Sequence, residues 1–342
     1  MMLQLTRAHG RTTFRAARAS GVLRPRMIVV GLVLVVVILV PFCYGMTIGS
    51  FPISLPGVIS ALFGQGDPGP VYIVQDLRLP RAVTGLLAGL AFGMAGAIFQ
   101  TVTRNPLASP DIVGVNAGAA ALVVAGLTLG FGSATWLGVL GGLGAGLLVY
   151  ALSWRRGTTG FRFLLVGVGV SAMCTSITEF LMAKAQIFEA QRAMGWLVGT
   201  LNDREWSHVQ PLAITLLVLT PVALFLGPWM RQLQLGDEVA LGLGTPVRAA
   251  HIALLVTGVG MATFAVAASG PVLFVALVAP QIAQRLAGLA SPPLIVSGLT
   301  GSAVILAADV ASRYILPSTQ LPVGVVTGAL GAPVLLWLLA RR

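Results

Sequence analysis

Charged side chains are scarce in this chain: Asp, Glu, Lys and Arg together make up 9% of its 342 residues. A soluble protein of this length would need far more charge on its surface, so a soluble globular fold is excluded. Cysteines are also few. Cys43 and Cys174 lie in separate apolar runs, without the spacing of a metal site or a disulfide framework, and are interpreted as core residues. The three histidines are scattered, so neither a metal nor a cofactor is expected.

Motifs that carry catalysis are missing as well. The chain contains no HExxH, no GxSxG and no GxxxxGKS or GxxxxGKT, so it is not expected to be an enzyme or to hold ATP phosphates itself. Its formal net charge of +11 does not indicate nucleic acid, because the arginines lie between apolar runs rather than among aromatics on one face. Anionic lipid and membrane orientation explain these arginines better.

Apolar residues and glycine are abundant. Hydrophobic residues form 56% of the chain, 42 residues are glycine, and the mean hydropathy is +0.93. These values are typical of packed transmembrane helices, each of which needs about 20 mostly apolar residues. The pattern predicts ten spans: Met27–Tyr44, Ala82–Gln100, Gly114–Phe131, Ala134–Trp154, Phe161–Lys184, His208–Met230, Arg248–Ser269, Val272–Leu289, Leu294–Ala311 and Val323–Ala340.

The distribution of basic residues predicts the orientation. Residues 1–26 carry six arginines and no acid, and no signal-peptidase site follows them, so the first span is expected to be uncleaved with its N-terminus inside. With ten spans, fifteen basic residues lie inside and six outside, in agreement with the positive-inside rule. We therefore expect an all-α integral membrane protein with both termini cytoplasmic. A basic segment, 1–26, precedes one membrane domain, 27–342.

Three arginines oppose this orientation signal: Arg78 and Arg81 in "LRLPR", and Arg313 at the outer end of the ninth span. They could contact lipid headgroups, snorkel at helix ends, or pair with Asp76 or Asp309. Alternatively, they could form a cationic rim for an acidic outer partner.

Two inner segments have unusual composition. In residues 233–247, Asp237 and Glu238 suit the first turn of a short helix that would end near Gly242, which could be a docking helix or an ordinary loop. The spacing alone favours the loop. In residues 104–120, prolines break the helix, and Asn105 and Asn116 can satisfy freed backbone groups. Here a helix re-entry is favoured over a substrate site.

Glu179 is an acid inside the fifth predicted span. Charge within the membrane is costly, so Glu179 is a candidate for a transport pathway. It also lies near the outer end of its span, where Lys184 or water could accommodate it.

Several stretches together resemble the FecCD family. They are "LRLPRAVTGLLAGLAFGMAGAIFQ", "RNPLASPDIVGVNAGA", "LGDEVALGLG", "SGPVLFVALVAPQIAQRLAG" and "ADVASRYILPSTQLPVGVVTGALGAPVLLWLL", which run in order from about residue 72 to the C-terminus. The resemblance implies a permease subunit of a type II ABC importer for ferric siderophores, haem or vitamin B12. It also implies ten spans with both termini inside.

The resemblance assigns roles to individual residues. Arg78, Arg81 and Arg313 would receive glutamates from the two lobes of a binding protein. The GDEVALGLG stretch would be a coupling helix held in a cleft of the ATPase. The residues implied are Leu235, Gly236, Asp237, Glu238, Leu241 and Gly242 for coupling, and Ser171, Thr175 and Glu179 for the central pathway. The helix re-entry at Asn105, Pro106 and Asn116 rests on the residues themselves, as described above.

The partners follow from the same resemblance. They are a second permease subunit, in a heterodimer rather than a homodimer, two copies of an ATP-binding subunit, and a soluble or lipid-anchored binding protein at a bacterial plasma membrane. The stretches NPLASPD and FRFLLVGVGV resemble the ferric-siderophore branch of the family most, which favours a ferric siderophore as the substrate. An ion-coupled secondary transporter is the alternative. One departure concerns the eighth span, where Gln281 and Gln284 stand in place of the family's PHIxR pattern and weaken any transfer of residue roles there.

Overall fold

The computed structural model describes residues 4–8, 11–16, 19–49, 51–153, 160–315 and 321–340. Several predicted inner arginines, namely Arg18, Arg155, Arg156, Arg341 and Arg342, lie outside these ranges. Before the first helix, three short strands form an antiparallel sheet in the order β1 (Gln4–Ala8), β2 (Arg11–Ala16) and β3 (Ala19–Leu23). Leu5 pairs with Phe14, and Phe14 pairs with Gly21.

From Pro25 onward the described elements are helical, which confirms the prediction of a helical membrane domain. The helices are α1 (Pro25–Thr47), α2 (Leu55–Leu62), α3 (Pro68–Tyr72), α4 (Leu79–Thr103), α5 (Val115–Leu129), α6 (Ala134–Ser153), α7 (Gly160–Lys184), α8 (Ile187–Leu197), α9 (Trp206–Phe225), α10 (Gly227–Leu233), α11 (Asp237–Gly242), α12 (Val247–Ser269), α13 (Val275–Ala287), α14 (Leu294–Ile315) and α15 (Val323–Ala340). A π-helical turn, Ile73–Arg78, joins α3 to α4.

Nine of the ten predicted spans each coincide with one helix, whereas the sixth, His208–Met230, covers α9 and part of α10. The helices differ in their ability to cross a membrane. Among the described residues, seven helical segments are long and apolar enough to do so. Val115–Leu129 and Val323–Trp337 are apolar but shorter. Helix α13 has 13 residues, or about 20 Å at 1.5 Å per residue, which is less than the roughly 30 Å of hydrocarbon. A crossing of the membrane by ten helices therefore stays a prediction.

Helix α4 lies at the centre of the bundle and α1 at its edge. In the most apolar stretch of the segment that contains α4, 78% of the residues are buried, against 11% in α1. The side chains of α4 join a large core with α9, α12, α13 and α14, and that core includes Phe92 and Ile98. The exposed apolar surface of α1 suits lipid, whereas α4 is surrounded by protein.

Glycines allow α4 to approach its neighbours closely. A Cβ added to Gly93 would lie 2.1 Å from the carbonyl oxygen of Ser297 on α14, and one added to Gly96 would lie 1.8 Å from that of Ala276 on α13. Both distances are far below van der Waals contact, so only glycine fits at these two positions. Such close approach of backbones is a common basis for helix association in membranes.

The segment between α4 and α5 turns back on itself. Arg104 ends α4 in a left-handed conformation with φ of 51°, and the side chain of Asn105 accepts a hydrogen bond of 2.9 Å from the backbone N–H of Leu107. A single 3₁₀ turn, Pro110–Val113, follows, and Gly114, with φ of 81°, leads into α5. Proline and left-handed residues thus redirect the chain from one helix into the next.

Asp111 lies in this turn, where it is partly buried. The Ser109 hydroxyl donates to one of its carboxylate oxygens over 3.4 Å. Burial raises the pKa of the Asp111 carboxyl to about 6, although hydrogen bonds from Ser109 and Asn116 act in the opposite direction. Asp111 therefore titrates closer to neutral pH than an exposed aspartate does.

We predict that Gly93→Ala destabilises the helical domain, because the new methyl group must push α14 away from α4. The expected cost is about 1–3 kcal/mol, as for other overpacked cores. Gly144→Ala is the matched control, since a Cβ at that helical glycine meets no atom within 4 Å. Thermal unfolding in detergent should show a lower midpoint for Gly93→Ala alone. Equal midpoints for the two variants would contradict the close packing of α4 on α14.

We also predict that Asp111 makes stability depend on pH. Its pKa is higher in the folded than in the unfolded chain, so its favourable contribution is complete below about pH 4 and is lost as the pH rises through about 6. Asp111→Asn should remove this loss and stabilise the protein at pH 8 by about 1–3 kcal/mol. The measurement is thermal unfolding at pH 5 and pH 8, with the exposed Asp67→Asn as control. An unchanged difference between the two pH values in Asp111→Asn would refute the assignment.

Candidate functional site

The predicted rim arginines lie where the end of α1 meets the beginning of α4 and the end of α14. Arg81 donates to one carboxylate oxygen of Asp309 from Nη2 at 2.7 Å and from Nε at 3.0 Å. Arg313, one turn further along α14, donates to the other oxygen. The Asp309 side chain is only 3% exposed. One buried carboxylate therefore holds two guanidinium groups, and acid pairing, one of the alternatives for these arginines, is present for Arg81 and Arg313.

The same arginines satisfy the free carbonyl groups at the end of α1. Arg313 donates to the carbonyl oxygen of Gly45 over 2.7 Å, and Arg78 donates to that of Met46 over 2.7 Å. Arg78 also donates to the carbonyl oxygen of Phe51. The last carbonyls of a helix lack partners within the helix and carry partial negative charge, so they favour cations. We refer to Arg78, Arg81, Arg313 and Asp309 as the arginine cluster.

The arginine cluster keeps an excess of positive charge. The cluster contains three guanidiniums and one carboxylate, which leaves two formal positive charges, and Arg78 contacts backbone carbonyls rather than Asp309. The Arg81 side chain is 12% exposed and that of Arg313 is 10% exposed, so part of this charge reaches the surface. Charge of one sign at a surface attracts partners of the opposite sign. The cluster can therefore hold three helix ends together and still attract an acidic partner.

Arg204 adds a further cation at this end of the bundle. It precedes α9, whose Trp206 indole donates to the carbonyl oxygen of Gln75 in the π-helical turn before α4. Burial lowers the pKa of the Arg204 guanidinium to about 10, against the opposing effect of Asp203. Arg204 therefore stays protonated at neutral pH.

Helix α11 lies at the opposite end of α4. It contains four of the residues predicted to contact an ATPase, Asp237, Glu238, Leu241 and Gly242, and Leu235 and Gly236 directly precede it. Gly236 enters it with φ of 104°, and Asp237 and Glu238 form its first turn. Apolar side chains on and beside α11 are at least half exposed: Leu235, Val239, Leu241 and Leu243. A Cβ at Gly242 would meet no atom within 4 Å. An exposed apolar surface of this kind marks an interaction site more often than a solvated loop.

The three predicted pathway residues on α7 do not share one environment. The Ser171 hydroxyl is buried without a hydrogen-bond partner among the described residues, and a Cβ at Gly114 would lie 3.1 Å from it. Thr175 and Glu179, one turn apart, are exposed. The structure thus brings Thr175 and Glu179 to one exposed face of α7 and places Ser171 against the segment between α4 and α5.

The residues predicted at the helix re-entry form the turn described above. Asn105 and Pro106 follow directly after α4, and Asn116 lies in the first turn of α5. The side-chain oxygen of Asn116 is buried and has no hydrogen-bond partner in the part of the chain that the structure describes.

Gln281 and Gln284, which depart from the family pattern, both have internal partners. Gln281 donates to the side-chain oxygen of Gln100 over 2.6 Å, and Gln100 donates in turn to the carbonyl oxygen of Leu277 over 2.9 Å. This chain of hydrogen bonds connects α13 to α4 inside the bundle. Gln284 donates to the carbonyl oxygen of Ala290 over 2.8 Å, at the end of α13.

Sequence reasoning did not identify the central role of Asp309, which it treated as one of several pairing partners. The spacing of Asp309 and Arg313, four residues apart in "ADVASR", was the available signal, because such pairs meet on one helix face. The contact of Arg81 with Asp309 joins residues 228 positions apart, and no local pattern reports it.

Comparison with known proteins gives a consistent result. The FecCD transport family model matches residues 28–341. The chain is 36% identical over 321 residues to the ferric enterobactin transport system permease protein FepG of Escherichia coli, and it is 34% identical over 316 residues to the iron(3+)-hydroxamate import system permease protein FhuG of Bacillus subtilis. These alignments cover 93% and 89% of this chain, and 97% and 94% of the two relatives.

A further relative is the Fe(3+) dicitrate transport system permease protein FecD of Escherichia coli, 37% identical over 79% of this chain and 86% of its own. In fold, the chain is similar to a protein described as a metal-chelate type ABC transporter in an inward-facing conformation. The TM-score is 0.82 at 22% identity, with 92% of this chain and all of the other covered. With its apolar helices, this chain is a multi-pass protein of the bacterial plasma membrane, and it belongs to the FecCD transport family.

Proposed function

We propose that the chain is one of two membrane-spanning permease subunits of an ABC importer. The importer takes an iron–siderophore complex from a binding protein outside the plasma membrane and moves it inward, and a separate ATPase supplies the energy. Ten spans and two cytoplasmic termini complete the proposal. The observation that carries it is similarity over nearly the whole chain to permeases of iron-chelate transport systems.

The arginine cluster supports docking of a binding protein at the outer end. Its excess positive charge lies at the end of α4 that the positive-inside rule assigns to the outside. Acidic residues on the two lobes of a binding protein would complement this charge. Asp309 would keep Arg81 and Arg313 in fixed positions, so that docking would cost little side-chain entropy.

Helix α11 supports coupling to an ATPase at the inner end. Its exposed leucines and valine provide an apolar surface, and Gly242 leaves room beside it. Leu235, Gly236, Asp237, Glu238, Leu241 and Gly242 are the proposed contact residues. A short helix with an exposed apolar surface suits a cleft in a partner.

The outer face of α7 supports pairing with a second permease subunit around a central pathway. Thr175 and Glu179 are exposed on a helix otherwise apolar enough to span the membrane. Lipid accommodates an exposed glutamate poorly, whereas a water-filled pathway between two subunits accommodates it well. We propose a heterodimer, with Thr175 and Glu179 on the shared face and Ser171 next to Gly114, which leads into α5.

An ion-coupled secondary transporter has less support. Such a protein needs carboxylates or broken helices near the membrane midplane that bind and release an ion. Asp309 lies near the end of its helix and is held by two arginines. Glu179 alone does not provide the set of groups needed to bind and release an ion.

We predict that uptake depends on ATP hydrolysis by a partner. In proteoliposomes with a ferric siderophore, its binding protein and the second permease subunit, uptake should appear only when an active ATPase is present. An ATPase variant that binds but does not hydrolyse ATP is the control. Uptake by this chain alone under a proton gradient would contradict the proposal and favour the secondary transporter.

We predict that neutralising Arg78 and Arg81 weakens docking of the binding protein. At Arg78, glutamine keeps a donor for the carbonyls but removes the charge. At Arg81 it also leaves Asp309 paired with Arg313 alone, so thermal unfolding first verifies that this variant is folded. Each folded variant should lose about two- to tenfold in affinity. Arg192→Gln on α8 is the matched control, because Arg192 is exposed and lies outside the arginine cluster. Affinity should also fall as salt rises.

Recovery tests whether this loss arises from direct pairing. The double variant Arg78→Glu, Arg81→Glu should be tested against two partners: the wild-type binding protein, and a binding protein whose matching glutamates are changed to arginine. It should bind the altered partner more tightly than the wild-type partner. Normal binding of the wild-type partner by Arg78→Gln and Arg81→Gln at low salt would assign these arginines a purely structural role.

We predict that Gly242→Trp uncouples ATP hydrolysis from uptake without unfolding the chain, since the new side chain enters open space in this subunit but meets the ATPase. Overcrowding of about 1–3 kcal/mol at that contact should lower uptake per ATP by about tenfold. Gly144→Trp, on the surface of α6, serves as the control. Normal coupling in Gly242→Trp would support the alternative interpretation of residues 233–247 as a connection without a docking role.

A further inference from the structure

Three ionisable side chains meet where α4, α11 and α12 come together. Arg104 follows α4, Asp237 begins α11, and His251 lies in the first turns of α12. One carboxylate oxygen of Asp237 is 3.3 Å from Nη2 of Arg104 and 3.8 Å from Nε2 of His251. A single residue of α11 thus faces charged or polar groups from two membrane helices.

The backbone aims Arg104 at this junction. Its left-handed conformation, with φ of 51°, is uncommon for a residue with a side chain. A Cβ on Gly236 would lie 3.4 Å from Nη1 of Arg104, so the guanidinium lies along the loop that enters α11. Left-handed residues held in this way often occur where a side chain must take one particular direction.

The contact between Arg104 and Asp237 contributes little to stability, but it can set the position of α11 relative to α4. The side chains of Arg104 and Asp237 are 48% and 40% exposed, and ion pairs with such access to solvent contribute little to folding. The Asp237 oxygen and Nε2 of His251 are each buried without a hydrogen-bond partner among the described residues. At 3.8 Å they lie just beyond hydrogen-bonding distance, so a small movement of α11 would close or open this contact.

Helix α4 connects this junction to the arginine cluster. Arg81 lies in its first turn and Arg104 directly follows its last residue, about 35 Å away at 1.5 Å per residue. Close glycine contacts fix α4 against α13 and α14 over much of that length. A displacement of Arg104 would therefore move α4 and its neighbours rather than bend a loop.

We propose that Arg104 and His251 are positioning residues that tie Asp237, and with it α11, to α4 and α12, so that a movement of α11 imposed by the ATPase reaches both helices. This inference rests on the proposed function, in which α11 contacts the ATPase. It assigns a role to two side chains outside α11 itself.

The test uses the assembled transporter in proteoliposomes and measures siderophore taken up per ATP hydrolysed. Arg104→Gln and His251→Leu should each lower this ratio by about two- to fivefold, the range set by a solvent-accessible ion contact. Arg104→Lys should keep it, and Arg104→Asp combined with Asp237→Arg should restore part of it. Arg231→Gln, an exposed inner arginine on α10, is the control. Thermal unfolding verifies that each variant is folded.

The outcomes separate the two levels of inference. Lower uptake per ATP in Arg104→Gln, with the ATPase still bound and Arg104→Lys normal, supports the positioning role. ATP-driven uptake by the wild type together with an unchanged ratio in Arg104→Gln and His251→Leu overturns this inference alone. A wild-type transporter without ATP-driven uptake overturns the proposed function, and the positioning role with it.

Discussion

The close packing of α4 on α13 and α14 is the constraint on which the rest of the molecule depends. At Gly93 and Gly96 the neighbouring backbones come so near that no side chain fits. This approach brings Arg81 on α4 within reach of Asp309 on α14, and it fixes the far end of α4 beside α11. The arginine cluster and the exposed helix α11 therefore lie at two ends of one packed body.

Asp309 explains how arginines can be buried at the edge of a membrane domain. A buried charge is tolerated when it is paired and its hydrogen bonds are satisfied, and removal of one partner from such a pair costs about 3–5 kcal/mol. Asp309 forms ion pairs with Arg81 and Arg313, while carbonyl oxygens at the end of α1 accept hydrogen bonds from Arg78 and Arg313. The same arrangement leaves positive charge for a partner, so structural and docking roles are compatible.

The helical domain could be predicted from sequence because apolar runs of span length are a strong local signal. Nine of the ten predicted spans each correspond to one helix, and the sixth covers α9 and part of α10. The length of α13 was overestimated: the predicted span began at Val272, but Phe274, with φ of 65°, delays the beginning of the helix to Val275. Charged pairs across the bundle could not be predicted. Arg81 with Asp309, and Arg104 with Asp237, join distant residues, and only the packing of α4 brings each pair together.

The rigidity of α4 and α14 as one body can be measured directly. Spin labels can be placed at Leu77, in the π-helical turn that leads into α4, and at Ile315, the last residue of α14, both of which are exposed. Once Cys43 and Cys174 are replaced, double electron–electron resonance would report the separation of the two helices at the arginine end. In the assembled transporter, one unchanged distance peak is expected without nucleotide, with ATP and with the binding protein docked. A shifted or second peak in any of these states would contradict a single packed body of α4 and α14 at the arginine cluster.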